Sequence, residues 1–130
     1  MPTKLKSDKL KDIHQMQTSF MEFLGMDTPE ILANDKRRTA EQKLKDVEDQ
    51  TVMLTFALER EIDEVIREVN WKPWKKARKL VDPYKVHQEL IDCFFFIMEL
   101  MILWGMTSDD IHQMYTEKLE INRKRQETGY

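Results

Sequence analysis

Apolar residues recur along this chain at spacings of three and four, the period of one face of an α-helix. Leu10, Ile13, Met16, Phe20 and then Phe23 or Leu24 make the first stripe, with Ser7 as the expected N-cap and Gly25 as the stop. Thr28-Pro29 opens a short helical turn, with proline at the first helical position. Residues 34–49 are charged and weakly periodic, with Lys36, Arg37 and Arg38 in a row. They are expected as a mobile surface segment; a basic flap over phosphates is the sharper alternative. A second long helix is expected from about Asp49 to Asn70, its apolar side marked by Leu54, Ala57 or Leu58, Ile62, Val65 and Val69. The segment Trp71-Lys72-Pro73-Trp74-Lys75 breaks it. Asp82-Pro83 starts a third helix that runs to Trp104, stops at Gly105 and is apolar nearly all the way round. Thr107-Ser108-Asp109-Asp110 starts the last, which carries Ile111, Met114, Tyr115, Leu119 and Ile121 or Asn122. The link through Gly105 is so short that the last two helices are expected to be antiparallel neighbours. The pattern predicts an all-α protein.

Composition narrows the picture. A length of 130 residues fits a single domain, 1–130, with one modest core. Hydrophobic content of 41% beside 35% charged residues suits amphipathic helices, and three glycines with four prolines leave few breakers. The formal net charge is -3, so there is no global basic surface and no nucleic-acid partner is expected. The single cysteine, Cys93, excludes an internal disulfide and reads as a small core residue. The N-terminus lacks the apolar stretch of a signal peptide, and the apolar run after Asp92 carries Glu99 and is too short to span a membrane. A soluble cytoplasmic protein with no membrane partner is the expectation.

Two acidic motifs carry the candidate chemistry. Glu61-x-x-Glu64 and Glu89-x-x-Asp92 each place two carboxylates on one helical face. Helices lying antiparallel across the Trp-Lys-Pro-Trp-Lys break would bring the four together. One acidic pair alone is often just a solvated face. Glu89 and Asp92, however, sit in a helix that must be largely buried, where carboxylates are rare without a partner or a metal. Four oxygen ligands with no thiol and no imidazole suit Mg²⁺ or Mn²⁺, and carboxylate-held Mg²⁺ completes its shell with water and phosphates. The residues thus point to a metal-dependent enzyme acting on a nucleoside triphosphate. Glu99, on the same stripe, needs a partner; a lysine or arginine is the bland answer and an outer role at the metal site the sharper one. Gln17 borders the first stripe, where an amide can read a base edge or make a backbone bond, and His14 reads as a boundary histidine. Lys118, Asn122 and Arg125 share a face of the last helix; they can grip phosphate or simply oppose the helix dipole. There is no Gly-rich phosphate loop, no Ser-His-Asp set and no Cys-x-x-Cys.

These residues resemble the all-α NTP pyrophosphatases, the group of the dimeric dUTPases and MazG proteins, and within it the bacteriophage dCTP/dUTP pyrophosphatases. Three blocks carry the resemblance: Glu61-x-x-Glu64 followed by Trp71-Lys72-Pro73-Trp74-Lys75-Lys76; Glu89-Leu90-Ile91-Asp92-x-Phe94-x-Phe96; and Gly105-Met106 with Tyr115-x-x-Lys118-x-x-x-Asn122-x-x-Arg125-Gln126-x-x-Gly129-Tyr130. The resemblance implies an antiparallel four-helix-bundle-like domain and a homodimeric enzyme. Such an enzyme uses Mg²⁺, or Mn²⁺ in its place, to cut dUTP or dCTP into a dNMP and pyrophosphate. It further implies Glu61, Glu64, Glu89 and Asp92 as catalytic metal ligands. Lys72, Lys75, Lys118, Asn122, Arg125 and Tyr130 would hold phosphates and sugar, and Gln17, Trp71 and Phe96 the base. The dimeric dUTPases have an asparagine shortly after that glutamine; here Phe20 and Met21 stand in its region, which speaks against strict uracil selection. A MazG-like enzyme with loose base choice and a non-enzymatic helical module are the two other readings.

Overall fold

The computed structural model describes residues 7–129. Five helices follow in order: α1 Lys9–Phe23, α2 Pro29–Asn34, α3 Ala40–Arg67, α4 Pro83–Leu103 and α5 Ser108–Glu127, with no strand among the described residues. The all-α class is as expected. Most helix starts follow the local chemistry. Thr28 caps α2 ahead of Pro29, Asp82 caps α4 ahead of Pro83, and Thr107 with Asp110 forms a capping box on α5. The cap of α1 is Asp8 rather than Ser7, its carboxylate accepting from the Lys11 backbone N–H at 3.0 Å.

The largest correction is the start of α3. It begins at Ala40, nine residues before the expected Asp49, behind a capping box in which Thr39 and Gln42 satisfy each other's backbone N–H groups. Its added turns are anchored by Val47, which is buried and continues the stripe that reaches Leu54. At 28 residues α3 is about 42 Å long. Arg38, just ahead of it, faces acids of its own chain: Asp27 at 2.8 Å, Asp35 at 2.5 Å and Asp46 at 2.9 Å. At its other end α3 stops at Arg67, three residues before the expected Asn70.

The core lies where α1, α3 and α4 meet. Met21 of α1, Val47 and Leu54 of α3, and Ile102 and Leu103 of α4 form one buried cluster, with Phe96 and Leu100 packed against it. Trp104 ties the end of α4 to α3 by donating from its indole Nε1 to Thr51 Oγ1 at 2.8 Å. α4 packs mainly on α3 and also on α1, whereas α5 touches α1.

The last two helices are not antiparallel. The chain turns by 107° between α4 and α5. Gly105, at a φ of 82° open to glycine, ends α4 with its own N–H on Ile102 and the Met106 N–H on Met101. His14 Nε2 then meets the Met106 carbonyl at 2.8 Å, which hooks the turn to α1. α5 therefore leaves across α1 and stays exposed beyond Ile111. Among the described residues no single helix is long and apolar enough to cross a membrane.

Candidate metal centre and adjoining pocket

Residues on α3 and α4 meet at an acidic cluster. One carboxylate oxygen each from Glu61, Glu89 and Asp92 lies within 4.8 Å of the others, and all three side chains are half-buried. Glu61 comes from the last third of α3, while Glu89 and Asp92 stand one turn apart on α4. Their proximity is electrostatically costly. Partial burial, followed by the charges of Asp92, Glu64, Glu61 and Glu68, pushes the Glu89 carboxyl above its ordinary range. An all-oxygen donor set of this size with no cation among it fits a hard divalent ion, which would cancel that repulsion. Glu64 stands outside the tight trio; its Oε1 lies 3.9 Å from Arg67 Nη1, whose other partner is Asp63. Cys93 beside the cluster is buried, and burial with the Glu61 and Asp92 charges pushes its thiol up, so it remains a core residue.

A cavity of about 740 Å³ opens next to the cluster. Glu61 and Asp92 form one edge. Ile13, Met16 and Phe20 of α1 and Ile91, Phe94, Phe95 and Phe96 of α4 make apolar walls, with Gln17 and Glu99 as polar members. Gln17 and Phe96 thus share one pocket that borders the acids. Glu99 finds its partner there: Gln17 Nε2 donates to Glu99 Oε1 at 3.0 Å. That is neither a lysine nor an arginine, so an amide takes the place expected for a cation. Nothing in the sequence singles out Phe20, Phe94, Phe95 or Glu99 as pocket residues. The near-continuous apolar run of α4 gave no sign of which side would stay open.

The remaining candidates lie elsewhere in the chain. Trp71, Lys72 and Lys75 line a second cavity of about 430 Å³ in the α3–α4 connection, together with Arg67, Asn70, Arg78 and Lys79. Asn70 shapes it by bonding both the N–H and the carbonyl of Lys79, at 2.9 and 3.0 Å. Trp71 packs edge-on against Trp74 at 6.0 Å, and Lys72 Nζ lies 5.2 Å from the Trp71 ring. Trp71 is therefore apart from Gln17 and Phe96 within one chain. Lys118, Asn122 and Arg125 are exposed on α5, which contributes no residue to the cavities lined by Glu61, Glu89 and Asp92. Tyr130 lies outside the described residues.

The fold and the cluster define a class: a helical protein that gathers carboxylates from two packed helices beside an apolar pocket. The chain belongs to the dUTPase family, whose model matches residues 9–104, from α1 to the cap of α4. Two bacteriophage proteins named dCTP pyrophosphatase are also similar. The one from Enterobacteria phage LZ5 is 37% identical over 71 residues, covering 46% of this chain and 41% of that protein. The one from Enterobacteria phage T4 is 31% identical over 72 residues, covering 46% and 42%. The match thus spans about two fifths of the length of those relatives. No solved structure matches significantly.

Proposed function

We propose that this protein is a Mg²⁺-dependent pyrophosphohydrolase that cleaves the pyrimidine deoxynucleotides dUTP and dCTP to the corresponding dNMP and pyrophosphate. It would serve nucleotide-pool sanitation and the supply of dUMP or dCMP. The observation that carries this is the convergence of Glu61, Glu89 and Asp92 within 4.8 Å, with Glu61 and Asp92 also lining an apolar pocket. Family membership and the names of the phage relatives support the same reading.

In this reading Glu61, Glu89 and Asp92 hold the cation, with Glu64 completing the acidic set. Mg²⁺, or Mn²⁺ in its place, held by these residues would supply neutralisation of the triphosphate charge and activation of water. A carboxylate of the cluster accepts the proton of the attacking water, and the bond between the α- and β-phosphates breaks to release pyrophosphate. The phenylalanine walls would seat the flat base beside Gln17 and Phe96. Lys72 and Lys75 of the α3–α4 connection would supply positive charge, and Lys118, Asn122, Arg125, Tyr130 and Trp71 the remaining phosphate, sugar and base contacts, brought to the pocket when two copies assemble.

The protein acts as a homodimer. Leu90, Phe94 and Ile97 follow one another on α4 at helical spacing, exposed by 50%, 37% and 41%. A second copy is the partner that covers such a stripe. Titration calorimetry with Mn²⁺ and Mg²⁺ tests the metal centre. Binding by the parent, lost in Glu61→Gln and Glu89→Gln, is expected; equal binding by all three proteins would overturn the assignment.

A further inference from the structure

We propose that Glu99 sets the base preference of the pocket, fixing the Gln17 amide so that the polar end offers acceptors to a cytosine amino group and opposes the uracil 4-oxygen. The proposal rests on the reading above that this pocket takes a pyrimidine base.

Gln17 and Glu99 project from different helices into a cavity whose other α1 and α4 walls are mostly apolar. Both are buried, at 7% and 6% exposure. Their one mutual bond uses Gln17 Nε2 and Glu99 Oε1. Gln17 Oε1 and Glu99 Oε2 make no hydrogen bond among the described residues. No fully buried side-chain oxygen there is left without a partner, so these two atoms keep some accessible surface, on residues that line the cavity. Chemistry sets the amide orientation. Ionised Glu99 can only accept, so against it a flipped Gln17 would set two oxygens against each other. The two atoms left for a ligand are then both acceptors. Cytosine meets them with its exocyclic N–H donors. Uracil presents an oxygen at that position, and its pairing would leave buried polar atoms opposed.

The pair has a cost that packing does not explain. Burial raises the Glu99 carboxyl above its ordinary range, with no charged neighbour contributing. The charged groups that share its cavity are Glu61 of α3 and Asp92 of α4, both acids, and α1 contributes none. A methionine would fill this space without that penalty. Retaining a carboxylate is understandable if it is there to hold the amide.

The test compares dCTP with dUTP by kcat/KM, and dCMP with dUMP by calorimetry without metal. The proteins are the parent, Glu99→Gln and Glu99→Met. The parent is expected to favour cytosine in both assays. Glu99→Gln lets the two amides turn, and should move both ratios toward uracil by about tenfold or more. Glu99→Met keeps the volume and frees Gln17, so its ratios should approach one. Parent activity with ratios unchanged within twofold in both variants would overturn the role of Glu99 alone. A parent that cleaves no dNTP and binds neither mononucleotide would overturn the pyrophosphohydrolase reading, and this inference with it.

Discussion

Asp27→Ala tests the junction that leads the chain from α1 into α3. Asp27 is buried, at 7% exposure. It accepts from Arg38 Nη1 at 3.0 Å, Arg38 Nη2 at 2.8 Å and Gln50 Nε2 at 2.7 Å. A hydrogen bond to a charged group contributes about 1.5–3 kcal/mol net. The sum is reduced because Arg38 keeps Asp35 and Asp46, so no cation is stranded. A loss of about 2–3 kcal/mol is expected, which lowers Tm by about 10 °C for a domain of this size. The pH dependence has a definite sign. The Arg38 hydrogen bond, against the opposing effect of burial, holds the Asp27 carboxyl below its ordinary range. The same guanidinium, with the Arg37 backbone N–H, holds Asp35 at about 2. A lowered native pKa contributes stability above the ordinary carboxylate value, and loses it as pH falls through the native one. The difference between parent and variant should be full at pH 7 and shrink below about pH 4. Urea unfolding followed by far-UV circular dichroism at pH 7 and about pH 3 reads both. A difference under about 0.5 kcal/mol at pH 7, the scale of an ordinary surface substitution, would refute the reasoning. So would a difference that widens in acid.

Glu64→Gln and Glu89→Gln should each lower turnover by on the order of a hundredfold or more with helicity retained, and near-parental Mg²⁺-dependent activity in both would sink the metal-site reading. Glu99, whose native pKa is raised, favours the folded state less as pH climbs from the ordinary glutamate value to the native one. Glu99→Gln should therefore gain unfolding free energy over the parent as pH climbs above the ordinary glutamate value; a constant difference from acid to neutral pH would contradict this. Sedimentation should show a dimer at micromolar concentration and a monomer for Phe94→Glu, and a monomeric parent would count against the α4 interface.

The helical class was legible because each helix carries its own period and most carry their own caps. Pro29, Pro83 and the Thr107–Asp110 box announced three starts in sequence alone. The start of α3 was hidden for a physical reason. Its first turns hold one buried apolar residue, Val47, and are secured by Thr39, Gln42 and the acids around Arg38. Charge there serves tertiary pairing, and the sequence pattern cannot distinguish that from a solvated strap. The 107° turn into α5 was equally hidden. Loop length bounds which helices can be neighbours, whereas the hook of His14 on Met106 decides the angle.

At the candidate site, Glu89 and Asp92 were readable as a pair because they share a face through their three-residue spacing, whereas Glu61 meets them only through the packing of α3 on α4, which leaves its own spacing partner Glu64 outside the trio. Gln17 and Phe96 line one cavity. The pairing of Gln17 with Glu99 was not readable, since it joins residues 82 apart and depends on how α1 crosses α4. The separation of Trp71, Lys118, Asn122 and Arg125 from the acids was likewise beyond reach, because a sequence pattern does not say how helices cross or which copy a residue serves.

Product analysis of the parent protein with dCTP, dUTP, dTTP, dATP and dGTP, each with and without Mg²⁺, tests the central claim most directly. Mg²⁺-dependent conversion of dCTP and dUTP into equimolar dNMP and pyrophosphate is expected, with little turnover of the purines, whose larger rings must push against the phenylalanine walls. Efficient cleavage of dATP or dGTP would contradict pyrimidine selection. Release of inorganic phosphate in place of pyrophosphate, or no turnover of any dNTP with Mg²⁺ present, would contradict the claim itself.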